Sequence, residues 1–182
     1  MNSNCCNNKE SKCICGGSAN YSSAATRISV KICPRCNKRD SSAFIETLNR
    51  LYFKAVSFGF PSCFSSEDGL IRSLLVDGKG VLVVDGKMYD GLFTLSLIER
   101  PGEFDSVLLI FYDYTNTTQP ARFAGLFAVP DANLVIRNCQ TNICSGKRVG
   151  PFVQNNLSEF EGDLPNKIIV FNDDGTIEEV KL

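Results

Sequence analysis

Nine of the 182 residues are cysteine and none is histidine. Six of the nine, Cys5, Cys6, Cys13, Cys15, Cys33 and Cys36, fall within the first forty positions. Sulfur at this density either cross-links chains or holds a metal. Nine is an odd number, so complete internal pairing leaves one sulfur over for a bond to another molecule. The six early cysteines are the candidates for intermolecular disulfides. Cys139 and Cys144 are candidate acceptors in the body, with a local Cys139–Cys144 bond as the alternative. The metal reading uses Cys13, Cys15, Cys33 and Cys36, since four thiolates can bind zinc tetrahedrally. Cys33-Pro34-Arg35-Cys36 has the two-residue spacing of a zinc knuckle. Cys13-Ile14-Cys15 is tighter than the two to four intervening residues of a usual ribbon.

Other chemistry is harder to place. Without histidine, a nucleophilic Cys63, Cys139 or Cys144 has no evident base. A redox C-x-x-C opens a helix after a strand in a βαβ setting, which this sequence lacks. Glu99, Glu103 and Asp105 flank a Pro-Gly turn and read as solvated carboxylates. No P-loop, dinucleotide fingerprint or EF-hand is present. The expectation is a protein that is not an enzyme.

Charge divides the chain. Residues 1–40 carry seven Lys/Arg against two Asp/Glu, and residues 41–182 carry twelve against eighteen. A basic segment can contact nucleic acid or dock on the acidic body of another copy. Lys31, Arg35, Lys38 and Arg39 surround the Cys33–Cys36 pair. Tyr21 is the arm's one aromatic, so it offers no base-stacking platform, which argues against nucleic acid. No run of eighteen apolar residues marks a membrane span. The polar, Asn-rich N-terminus has no apolar core of a secretory signal, so synthesis in the cytoplasm is expected. Disulfide-level cysteine without an export signal fits oxidation after assembly or cell lysis.

The elements that must position these groups follow from periodicity. Residues 1–40 read as a flexible, cysteine-rich basic arm, with a short alternating strand possible over Thr26–Ile32. Phe44, Ile45, Leu48, Leu51, Tyr52, Ala55 and Val56 recur at helical spacing and predict a helix over 41–60, ended by Gly59 and Pro61. Residues 61–182 predict strands at roughly ten-residue spacing: Leu70–Val76, Val81–Val84, Leu92–Glu99, Val107–Tyr114, Arg122–Val129, Leu134–Cys139, Lys167–Phe171 and Thr176–Lys181. Asp85-Gly86 predicts a type I′ hairpin. Val107–Tyr114 is the most apolar run and reads as a central strand. The expected fold is mostly β: a β-sandwich or barrel-like body carrying one helix and the arm.

The cysteine layout resembles the cysteine-rich spore coat and exosporium proteins of the Bacillus group, the spore coat protein Z and Y family. Cys13-Ile14-Cys15, Cys33-Pro34-Arg35-Cys36 and the strand Thr94-Leu95-Ser96-Leu97 carry the likeness. The family has one more residue between the cysteines of its C-P motif and a second half denser in cysteine. Endospore appendage subunits share the style, a cysteine-bearing connector on a β-sandwich. The resemblance implies self-assembly into disulfide-locked layers or fibres on the spore surface, with other copies and other spore-surface proteins as partners and no cofactor. The alternative is a zinc-binding regulatory or viral accessory protein with a basic, nucleic-acid-contacting arm.

Overall fold

Alternating burial along the chain turns most described segments into strands, because side chains on a pleated strand point to opposite faces in turn. The computed structural model describes residues 15–48, 50–102, 104–113, 121–138, 167–172 and 176–181. Its strands are β1 (Cys15–Ser22), β2 (Thr26–Ile32), β3 (Ser42–Thr47), β4 (Leu51–Phe58), β5 (Ser62–Ser65) and β6 (Arg72–Val84). They continue as β7 (Lys87–Glu99), β8 (Asp105–Asp113), β9 (Ala121–Val129), β10 (Leu134–Asn138), β11 (Lys167–Phe171) and β12 (Ile177–Lys181). Short 3-10 turns lie at Pro34–Cys36, Lys38–Asp40 and Asp131–Asn133.

All twelve strands belong to one antiparallel sheet of order β10-β1-β2-β3-β4-β6-β7-β8-β9-β11-β12, with β5 beside β6. The sheet curls into a half-barrel. Its inner face is filled by Phe53, Phe93, Phe111, Phe123 and Phe127, each essentially inaccessible, with Ile28, Ile45, Leu74, Leu82, Leu95 and Leu97 between them. Phe53 and Phe93 meet edge-on at 5.1 Å, the arrangement ring quadrupoles favour. The long strand β6 runs straight through Gly78-Lys79-Gly80, where the sequence suggests a break. The two glycines make room for rings: a Cβ at Gly78 would lie 2.6 Å from Phe93 Cζ, and one at Gly80 2.8 Å from Phe53 Cε2. The β6–β7 hairpin turns at Asp85-Gly86 with φ of 47° and 80°, as a type I′ turn requires.

The helix expected over 41–60 is not formed. Residues 42–58 are instead the hairpin β3–β4. Ala43, Ile45, Thr47, Leu51 and Phe53 face inward at period two, while Phe44 and Tyr52 touch edge-on at 5.3 Å on the other face. Two short strands paired antiparallel, with Thr47 opposite Leu51, place apolar residues three and four apart in sequence, so the pattern imitates a helical stripe. The dense aromatic and β-branched content decides for strands.

Residues 15–40, expected within the arm, are β1, β2 and two 3-10 turns. Thr26, Ile28, Val30 and Ile32 are buried in strict alternation, which places β2 in the sheet rather than in solvent. Of the arm expected over residues 1–40, residues 1–14 lie outside the described residues. So does Leu134–Cys139 past Asn138.

Candidate functional site

Cys15 opens β1 opposite Asn138 of β10. Cys63 sits in β5, in a cross-strand row with Leu74 and Leu97. The curl of the sheet brings β1 over β5, and the two sulfurs are bonded, with Cα atoms 6.0 Å apart across a sequence separation of 48. Cys15 is fully buried. The bond pins β5, a strand of four residues, to the first strand of the sheet. Neither residue type nor spacing marks this pair in the sequence, where Cys63 stands alone.

Cys33 lies beside this corner. The Gly17↔Ile32 register sets Gly16 against Cys33, and a Cβ on Gly16 would come within 2.9 Å of the Cys33 carbonyl oxygen. Cys33 is 3 % exposed, and its N–H donates to Ser41 Oγ at 2.8 Å. Cys33 and Arg35 both adopt left-handed backbone, with φ of 45° and 55° on either side of Pro34. Such conformations cost non-glycine residues about 1–2 kcal/mol each and persist only where the surroundings hold them. Cys36 ends the same 3-10 turn. Of the remaining candidate cross-linkers, Cys5, Cys6, Cys13, Cys139 and Cys144 lie outside the described residues. For the four-thiolate zinc set, Cys13 is likewise outside them, and the sulfur of Cys15 is bonded to Cys63. Among the described residues no group of three or more metal-binding side chains converges.

A second cluster adjoins the disulfide. Arg72 at the start of β6 faces Glu99 at the end of β7, and Arg72 Nη2 donates to Glu99 Oε1 at 2.8 Å. Arg72 Nη1 also donates to the Ile136 carbonyl oxygen at 3.3 Å. The Ile136 N–H donates to Glu99. The ion pair therefore grips both backbone polar groups of one residue, on the edge of β10 away from β1. Burial raises the Glu99 carboxyl above its usual range, against the pull of Arg72.

Asp105 completes the cluster. The sequence reading as a solvated turn carboxylate does not hold, for Asp105 is 1 % exposed. Oδ1 accepts the Arg100 N–H at 2.9 Å, while Oδ2 is buried with no hydrogen-bond partner among the described residues. Burial pushes this carboxyl up to about 6, with Asp131 and Glu99 adding repulsion.

No protein-family model, curated protein or solved structure matches this chain. The functional reading therefore stands on the sequence and the geometry.

At the other end of β7, Asp113 and Arg122 form an ion pair at 3.2 Å with side chains only 5–6 % exposed. Arg122 also lies over the Tyr89 ring at 5.6 Å. No helix among the described residues is long and apolar enough to cross a membrane. The chemistry the cysteine corner supplies is the making and breaking of disulfides. The carboxylates beside it are bound into structure through Arg72, Ile136 and the Arg100 N–H.

Proposed function

We propose that the protein is a self-assembling structural subunit whose copies are cross-linked by disulfides. The observation that carries this reading is the sulfur inventory set against the fold. One bond, Cys15–Cys63, is closed within the sheet. Seven cysteines remain, an odd number, so at least one sulfur has no intrachain partner even if every other pair closes. Oxidation of that thiol with the same thiol of a second copy, molecular oxygen taking up the two electrons and two protons, gives a covalent link; disulfides require close approach, so assembly comes first and oxidation second. The resemblance of the cysteine layout to spore coat and exosporium proteins supplies the setting, a bacterial spore surface, with other surface proteins as further partners.

The test is a denaturing gel of the air-oxidised protein, alkylated before loading, with and without reductant. The reading expects a ladder that collapses to one band in reductant. A single monomer band in both lanes overturns it.

A further inference from the structure

Two carboxyl oxygens in the cluster beside the disulfide, Asp105 Oδ2 and Glu99 Oε2, are buried with no hydrogen-bond partner among the described residues. The charged side chains that act on Asp105 come from three elements. Glu99 ends β7, Arg72 begins β6, and Asp131 opens the 3-10 turn that leads into β10. Arg72 is the one cation among them. Its guanidinium donates to Glu99 and to the Ile136 carbonyl oxygen, and not to Asp105. A neutral carboxyl fits such a place. A carboxylate does not, because it is out of water, holds one N–H, and has two like charges near it.

Asp105 is fixed against that repulsion, whereas Asp131 is not. Asp105 lies in the ladder of β8 opposite Val129, and its Oδ1 accepts the Arg100 N–H at 2.9 Å. Asp131 is exposed and belongs to a turn of three residues. The Asn133 N–H donates to the Pro130 carbonyl oxygen at 2.8 Å, and Asn133 Nδ2 donates to the Asn20 carbonyl oxygen of β1 at 2.6 Å. The element free to move is therefore tied down through Asn133.

We propose that Asp105 and the Asp131–Asn133 turn form a proton-operated latch at the entry to β10. With Asp105 neutral, Asn133 keeps its bonds to Pro130 and Asn20. Ionisation of Asp105 sets a third negative charge beside Glu99 and Asp131, with one guanidinium to offset all three. The turn then lets go, and Leu134, the buried first residue of β10, loosens with it. The middle of the strand stays in place, since Arg72 and Glu99 hold Ile136. The latch is closed in acid and opens towards neutral pH. Its sign follows from linkage. The carboxyl titrates at about 6 with the turn closed and returns towards 3.8 as burial and repulsion are relieved, so opening releases a proton and is favoured by rising pH.

The test is amide hydrogen exchange of the full chain followed by NMR, with accessible thiols alkylated. Protection factors, corrected for the intrinsic rate, are compared at pH 4 and pH 7.5. The Asn133 amide is expected to lose protection by about tenfold to sixtyfold, the upper figure applying if the open turn restores the ordinary carboxyl fully. Its exchange is expected to ignore dilute urea, as local opening does, while that of Leu95 in the interior responds. Asp105→Asn is expected to make the Asn133 protection independent of pH. Asp131→Asn, at an exposed position, removes one repelling charge and is expected to raise that protection at pH 7.5 by about threefold or more. Constant protection of Asn133 across this pH range overturns the proposal. So does a pH-dependent loss that follows urea as Leu95 does, because the whole fold is then opening. An Asp131→Asn protein that exchanges at Asn133 as before also overturns it.

Discussion

Replacing Cys15 and Cys63 by alanine, singly and together, separates the contribution of their bond from everything else in the fold. The closed loop spans 48 residues. Loop-closure entropy of about −2.1 − 1.5R ln n gives about −14 cal/mol/K for that loop, or about 4 kcal/mol at 25 °C. With a urea slope of about 2 kcal/mol/M, the unfolding midpoint of each single variant falls by about 2 M. The decisive number is the double variant. Both single changes remove the same bond, so the pair loses about as much as either alone, and the cycle shows a coupling near 4 kcal/mol. Urea titrations followed by far-ultraviolet circular dichroism, with accessible thiols alkylated, measure all four proteins under one condition. Losses that simply add, or single losses near zero, refute the reasoning, for the native chain then does not depend on that loop being closed.

Two further outcomes follow from the buried ionisable groups. Asp105 titrates near 6 in the fold against 3.8 in the unfolded chain, so the native state holds its proton more tightly. Stability is then greatest below pH 4 as far as this group is concerned, and falls as pH rises through 6, by about 2–3 kcal/mol. Denaturation midpoints between pH 4 and 7.5 show that slope, and Asp105→Asn flattens it. Asp113→Ala leaves the Arg122 guanidinium buried without its carboxylate, and a loss of about 3–5 kcal/mol is expected. Asp113→Ala with Arg122→Met recovers much of it in the same urea assay.

The β character of the chain was legible because its strands obey simple rules. Asp85-Gly86 turns as its residue types demand, and the apolar run around Val107 is an interior strand, paired on both sides, though β6 rather than β8 stands at the middle of the strand order. Period-two alternation over Thr26–Ile32 marks a true strand. The failures have physical causes. The hairpin β3–β4 imitates a helix because its turn brings two strand patterns into helical phase. Strand β1, CGGSANYS, carries few apolar side chains, since Gly16 and Gly17 are needed for close backbone approach rather than for packing. Strand β6 looks interrupted because its glycines serve phenylalanines on other strands. At the site, half of what matters was visible: Cys15 and Cys33 stand out by spacing, and the structure buries both in one corner. Cys63 and Asp105 do not stand out, because their roles depend on the curl of the sheet, a long-range property that no local window contains.

The grip of Arg72 and Glu99 on Ile136 bears on how copies can meet. A five-residue edge strand recruits a stranger through its backbone, and the N–H and C=O of the middle residue of β10, Ile136, are already occupied by two side chains of its own molecule. An incoming strand would have to evict a charged pair before its first hydrogen bond in the centre of the ladder. This margin of the sheet is sealed against zipper-like growth. Growth of the sheet by adding strand to strand at β10 is therefore disfavoured.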